Sequence, residues 1–229
     1  MMPTQTHSPP PMDPQLHLLH LSSPALPIGA YAYSQGLEYA IEAGWLEGDE
    51  LAKWFEDGLN LGVAQLDLPV LLRVLAALDV DDGAALDHWN DRLLASRETA
   101  ELLLEDQQIG AALWRLLGTL NTGELPQLQQ RPAYAVAFAV ACVHWKIDTG
   151  SALQGFAYSW LENQVTAATK LVPLGQSAAQ QLLLGLLAKI PDACAKAMTV
   201  EDDDIGLSLP GLAMASCHHE RQHTRLFRS

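Results

Sequence analysis

Residues 133–142 read AYAVAFAVAC, and the fold class turns on whether this run is a strand or a buried helix. Alanine alternates with Tyr134, Val136, Phe138 and Val140, which imitates the two-residue period of a half-buried strand. Flanked by Pro132 and Gly150, with small residues all round, the run reads instead as a helix packed on every side. The neighbouring segments point the same way. From Thr149, one helical face carries Leu153, Phe156, Ala157, Trp160, Leu161, Gln164, Val165 and Ala168, until Pro173 and Gly175 end it. Gln164 is the only strongly polar member of that face.

Outward toward the N-terminus the pattern repeats. After Asp49, a candidate N-cap followed by Glu50, apolar or small residues fall at Leu51, Trp54, Phe55, Gly58, Leu59, Gly62, Val63 and Leu66, a single helical stripe. Gly58 and Gly62 on that stripe let another helix approach closely. Further helices are expected over 15–21, 34–43, 68–78, 84–96, 99–119, 176–189 and 192–199. No alternating strand, internal repeat or long linker interrupts them. The expectation is therefore all-α: a single globular domain of about ten helices over 15–217, a disordered leader over 1–14 and a flexible basic tail over 218–229.

Composition narrows the function classes. At 229 residues with 49% hydrophobic content, the chain can bury a sizeable core. Cys142, Cys194 and Cys217 are too few and too scattered for a disulfide framework or a paired-cysteine metal knuckle, which fits a reducing cytoplasm. The segment 1–14 is proline-rich and has no apolar signal-peptide core. The charge-free stretch 171–188 contains Pro173, Gln176, Gln180 and Gln181, so it lacks the roughly 20 apolar residues of a bilayer span. Three of the 13 Lys+Arg and one of the 27 Asp+Glu fall in residues 218–229, which leaves ten against 26 in the rest. Such an acidic body repels nucleic acid and anionic lipid and suits basic surfaces or metal cations. The acidic run Glu201 to Asp204 reads as a solvated loop.

Two short motifs suggest catalysis. His219, Glu220 and His223 match H-E-x-x-H, which on a helix sets two imidazoles one turn apart with a carboxylate between them as base. A zinc hydrolase also needs a third protein ligand, and no His, Cys, Asp or Glu follows His223. This zinc-hydrolase reading stands as the alternative, beside adventitious metal binding by Cys217, His218, His219 and His223. Ala32, Ser34 and Gly36 imitate a nucleophile elbow, but no strand precedes Ser34; it reads as a helix N-cap worth about 1 kcal/mol. No glycine is followed by lysine and there is no G-x-G-x-x-G, so any nucleotide belongs to a partner.

The segment LPIGAYAYSQGLE at 26–38 is unusual for a solvent loop. Pro24 and Pro27 stiffen its entry, Gly29 permits a turn, and Tyr31 and Tyr33 either plug the core or anchor a second protein. With WLENQVTAATKLVPLGQ at 160–176 and HERQHTRLFRS at 219–229, it resembles the urease accessory protein family UreF over about residues 16–229. The family tail has tyrosine where His223 stands and serine where Thr224 stands, so the H-E-x-x-H match is a byproduct of one substitution.

That resemblance implies a non-catalytic, all-helical, cytoplasmic homodimer without a cofactor of its own. It would bridge a second accessory protein, UreD, and the nickel-carrying GTPase UreG, modulate GTP-dependent nickel delivery to apo-urease, and contribute to an internal nickel route. Tyr31 and Arg225 match family positions tied to ordering of the tail and the adjacent loop when UreD binds; Tyr158 and Lys170 match positions on the face that meets UreG. Tyr33, Ser34, Glu38, Glu162, Leu226, Phe227 and Arg228 complete the candidate partner-binding set. Arg225 and Arg228 add two guanidinium forks to two apolar anchors, a composition suited to docking after disorder. Lys170 also suits the negative end of the helix it terminates. An arginine-finger role is not expected, because Gln154 stands where a family arginine would.

Overall fold

A computed structural model describes residues 12–120, 123–206 and 208–229, and every regular element among them is helical. In chain order the α-helices are α1 (Pro14–Leu21), α2 (Leu37–Glu42), α3 (Glu50–Asp57), α4 (Asp67–Asp79), α5 (Gly83–Ala95), α6 (Ala100–Thr119), α7 (Tyr134–His144), α8 (Thr149–Leu171), α9 (Gln176–Leu187), α10 (Ile190–Ala197) and α11 (Pro210–His219). A π-helical turn, Gly58–Val63, joins α3 to α4, and short 3-10 turns occupy Ala30–Ala32 and Asp202–Asp204. The all-α expectation holds. The expected leader lies outside the described residues as far as residue 11, and Pro14 already opens α1, where the Asp13 carboxylate accepts the Gln15 N–H at 2.8 Å.

The 133–142 run forms α7, and its start shows why a helix wins. Pro132 cannot continue a hydrogen-bonded ladder, so neighbouring helices supply acceptors for the free amides. Asn90 on α5 accepts the Ala133 N–H at 2.8 Å and donates to the Arg131 carbonyl at 3.1 Å. Asp106 on α6 accepts the Tyr134 N–H at 2.7 Å. From there α7 is apolar all round, with Ala135 through Cys142 buried between α4, α6 and α8. Gly110 makes this possible: a Cβ there would lie 2.1 Å from the Pro132 carbonyl oxygen.

Asp106 also holds Arg97 at 2.8 Å, and Arg97 reaches Asp67 at the start of α4 at 2.5 Å. Burial pulls the Arg97 guanidinium down, but the two carboxylates outweigh it and its pKa rises. The Asp67 carboxyl is pushed up by burial despite Arg97. This triad of two buried aspartates and a partly buried arginine ties α4, α6 and α7 into one unit; removing Arg97 strands the two carboxylates.

The stripe that begins at Asp49 does not run as one regular helix. It widens into the π turn at Gly58, where a Cβ would sit 2.7 Å from the Trp160 ring of α8. The close approach expected at these glycines is thus made by an indole and by Leu209, which meets Gly62. Glu50–Asp79 is long and apolar enough to cross a membrane by length and composition, yet its Leu68, Val70, Leu71 and Val74 are the buried face of α4 against α7 and α8.

Two local expectations change. Ser34 lies ahead of α2, whose N-cap is Gly36 in the left-handed region at φ 76°, yet the Ser34 hydroxyl still accepts a first-turn amide, the Glu38 N–H at 3.3 Å. The expected helices stop at residue 199, whereas Pro210–His219 forms a further one, α11, with Pro210 at its first turn.

Candidate functional site

Helices α2 and α11 touch through their backbones. A Cβ on Gly36 would lie 2.8 Å from the Ser216 amide nitrogen, so only glycine allows this contact. The preceding Gln35 also has positive φ, at 54°. Its side chain is held three ways: Nε2 donates to Glu105 at 2.8 Å, while Oε1 accepts from Trp160 at 2.9 Å and Gln164 at 3.3 Å. Those bonds hold a backbone conformation that costs on the order of 1 kcal/mol. They also explain the one strongly polar residue on the α8 stripe.

The α2–α11 contact sets the terminal segment back onto the body. His219, the last residue of α11, is fully buried; its Nδ1 lies 2.8 Å from Glu101 and its Nε2 3.2 Å from Glu38. Glu38 accepts the Leu226 N–H on Oε1 at 2.7 Å and the Phe227 N–H on Oε2 at 2.9 Å. Arg225 donates to Glu101 at 2.7 Å. The chain then pairs with the 32–34 segment: Arg228 N–H donates to the Ala32 carbonyl, and the Ser34 N–H and hydroxyl both donate to the Ser229 carbonyl. The Ser229 hydroxyl meets Glu105 at 2.5 Å. Burial pushes the Glu105 carboxyl up to about 7, although hydrogen bonds from Ser229 and Gln35 and the charge of Arg97 oppose that rise.

Around this seat the candidate residues divide. Tyr33, Ser34, Glu38 and Phe227 are buried, with the Tyr33 hydroxyl on Gln108 at 2.5 Å. Tyr31, Leu226, Lys170, Arg225 and Arg228 stand at the surface. The Lys170 ammonium lies 5.3 Å from the centre of the Phe227 ring and 5.9 Å from that of Tyr31. Tyr158 and Glu162 are half-exposed one turn apart on α8, and burial raises the Glu162 carboxyl. The tail expected to be flexible is thus seated on the body of its own chain. Behind the seat is a cavity of about 120 Å³ bordered by Gln35, Asp67, Arg97, Glu105, Trp160 and Asn163.

The zinc-hydrolase reading fails on this geometry. Helix α11 ends at His219, so Glu220 and His223 are not on a common helix with it. Both His219 nitrogens already face carboxylates, and His223 is exposed beyond a turn. His218 stacks on Tyr39 at 4.8 Å, and Cys217 points to solvent. Among the described residues no three His, Cys, Asp or Glu side chains form a metal-holding group.

Gln35, Glu101 and Glu105 were not singled out in the sequence. Glu101 and Glu105 are four apart on α6, a like-charged pair that an isolated helix disfavours, and that spacing signals an external cation or donor.

Fold and site define an all-helical protein whose distinguishing feature is a terminal segment seated by buried carboxylates. A family profile described as UreF matches residues 47–187. The chain is 55% identical over 216 residues to "Urease accessory protein UreF" of Teredinibacter turnerae, covering 93% of this chain and 98% of that protein. It is 46% identical over 216 residues to the protein of the same name in Hahella chejuensis, covering 93% and 97%. For that of Pseudomonas putida strain KT2440 the identity is 48% over 219 residues, again covering 93% and 97%. The chain belongs to the UreF family of urease accessory proteins, and its role lies in urease maturation.

Proposed function

We propose that the chain is a cytoplasmic adaptor that works through protein contacts and has no reaction of its own. It bridges UreD and the GTPase UreG as a homodimer and modulates GTP-dependent delivery of nickel, the cargo, to apo-urease. UreD meets the tail and Tyr31; UreG meets Tyr158, Glu162 and Lys170. One observation carries this reading: a single ammonium, that of Lys170, lies against both Phe227 of the tail and Tyr31 of the neighbouring loop. The two partner faces thereby share a residue, through which occupancy of one can be felt at the other.

The test is capture of purified UreD by the double variant Tyr31→Ala, Leu226→Ala. Both side chains are exposed, so melting should stay unchanged while affinity falls at least about tenfold, the scale of an anchor residue. Undiminished capture refutes the docking-tail reading.

A further inference from the structure

Between α4, α5 and the 201–204 run lies a groove with an apolar floor and an acidic rim. Leu72, Ala76 and Val80, spaced four apart, line it from α4 and its C-terminal end, and Ala85 and Trp89 line it from α5. Val80 is 71% exposed. Asp82 and Asp202 border the floor. The nearby arginines do little to neutralise this rim, because they bind mainly backbone: Arg73 donates to the Val200 carbonyl at 2.6 Å, and Arg92 to those of Asp202 and Ile205. They hold the four-acid run in an ordered turn in which only Asp202 has an ion pair, to Arg73. Glu201, Asp203 and Asp204 are exposed and have no ion pair among the described residues. Across the groove Asp79 closes α4, where the helix dipole is already negative, and no basic residue occupies that last turn. Both sides thus carry carboxylates that the fold leaves without cations.

We infer that this groove docks a cationic amphipathic segment of another urease-maturation protein, one that lays an apolar residue against Ala76 and Val80 and brings lysine or arginine to Asp82, Asp202 and their acidic neighbours. The body of a second copy does not supply that chemistry, since residues 1–217 hold ten Lys+Arg against 26 Asp+Glu. A bare polyamine matches the rim but leaves the floor uncovered. Among the described residues no three His, Cys, Asp or Glu side chains gather there to hold a metal ion. The inference goes beyond the adaptor reading, and the groove shares no lining residue with the tail seat.

The probe is a synthetic peptide of about four helical turns with leucines on one face and lysines on the other. Titrated into the full chain, it should shift the Val80 amide and Trp89 indole resonances and bind at least about tenfold more tightly than a scramble of the same composition or than spermine. Equal affinity for either control overturns the amphipathic seat. Val80→Glu removes the apolar contact while adding negative charge: affinity should fall at least about tenfold, whereas a merely electrostatic surface would bind as well or better. The double variant Asp203→Asn, Asp204→Asn should weaken binding about fivefold at low salt and little at about 0.5 M, where screening is strong; unaltered affinity at low salt overturns the acidic rim. All three positions are exposed, so melting should not change. In the assembly of the full chain with UreD, UreG and apo-urease, a photo-cross-linker at position 80 should join a lysine- or arginine-bearing segment of one of those proteins. A cross-link to a second copy of this chain, or none, overturns the inference.

Discussion

Helix α7 and the terminal tail are both built into the body of the protein, by opposite physics. Helix α7 is interior because nearly every side chain is apolar or small, and any surrounding helices of suitable shape would bury it. The tail is polar and basic. Its Phe227 and Ser229 are buried only because Glu38, Glu101, Glu105 and Ser34 meet its amides, cations and hydroxyl. Composition is sufficient for the first kind of burial, whereas the second needs a particular set of partners from α2 and α6. A region held by area fails by global unfolding; one held by a few bonds can open alone.

Phe138→Ala attacks the first kind. Phe138 is fully buried and meets Phe156 edge to face at a centroid distance of 5.3 Å, so stability in urea should fall by about 3–5 kcal/mol. A loss below about 1 kcal/mol would mean that α7 is less tightly packed than its burial indicates.

Glu105 tests the second kind through pH. Its carboxyl ionises near 4.5 when exposed and near 7 in the fold, because burial disfavours the charge. Between those values the unfolded chain has released the proton that the folded chain keeps, so stability must fall as pH rises through this window. Below it both states are protonated; above it both are ionised and the slope ends. The change is on the order of 3 kcal/mol. Urea midpoints at about pH 5 and about pH 8 should show it, and Glu105→Gln should remove it; an unaltered slope in the variant would assign the effect to other groups.

Phe227→Ala should have the smallest global effect, about 1 kcal/mol, because a tail can fray without carrying the core with it. Deuterium exchange over residues 224–229 should rise while the core amides stay protected. If core amides accelerate as well, the contrast between the two regions is wrong.

Most helices were legible. The caps Asp82, Thr99 and Asp148 accept amides at the starts of α5, α6 and α8, as local chemistry requires. Others were not. The π turn at Gly58–Val63 follows the same apolar stripe as a regular helix, and only the Trp160 ring pressed on Gly58 distinguishes it. Helix α11 lay behind a Leu-Ser-Leu-Pro-Gly string that reads as a turn, although proline at a first helical position was a usable signal. Glu38 stood among the candidate partner-binding residues, but its bonds to the Leu226 and Phe227 amides were not legible because those groups lie more than 180 residues away.

By itself, the sequence determined that this chain is all-helical, that 133–142 lies in the core, and which short blocks mark it as UreF-like, because periodicity, capping and composition act over a few residues. Only the tertiary structure decided that the tail is seated in cis, that both His219 ring nitrogens face carboxylates, those of Glu101 and Glu38, and that Lys170 joins the tail to the Tyr31 loop. Those outcomes depend on distances between residues far apart in the chain, and hydrogen bonds and charges reward such distances only once the helices have been packed.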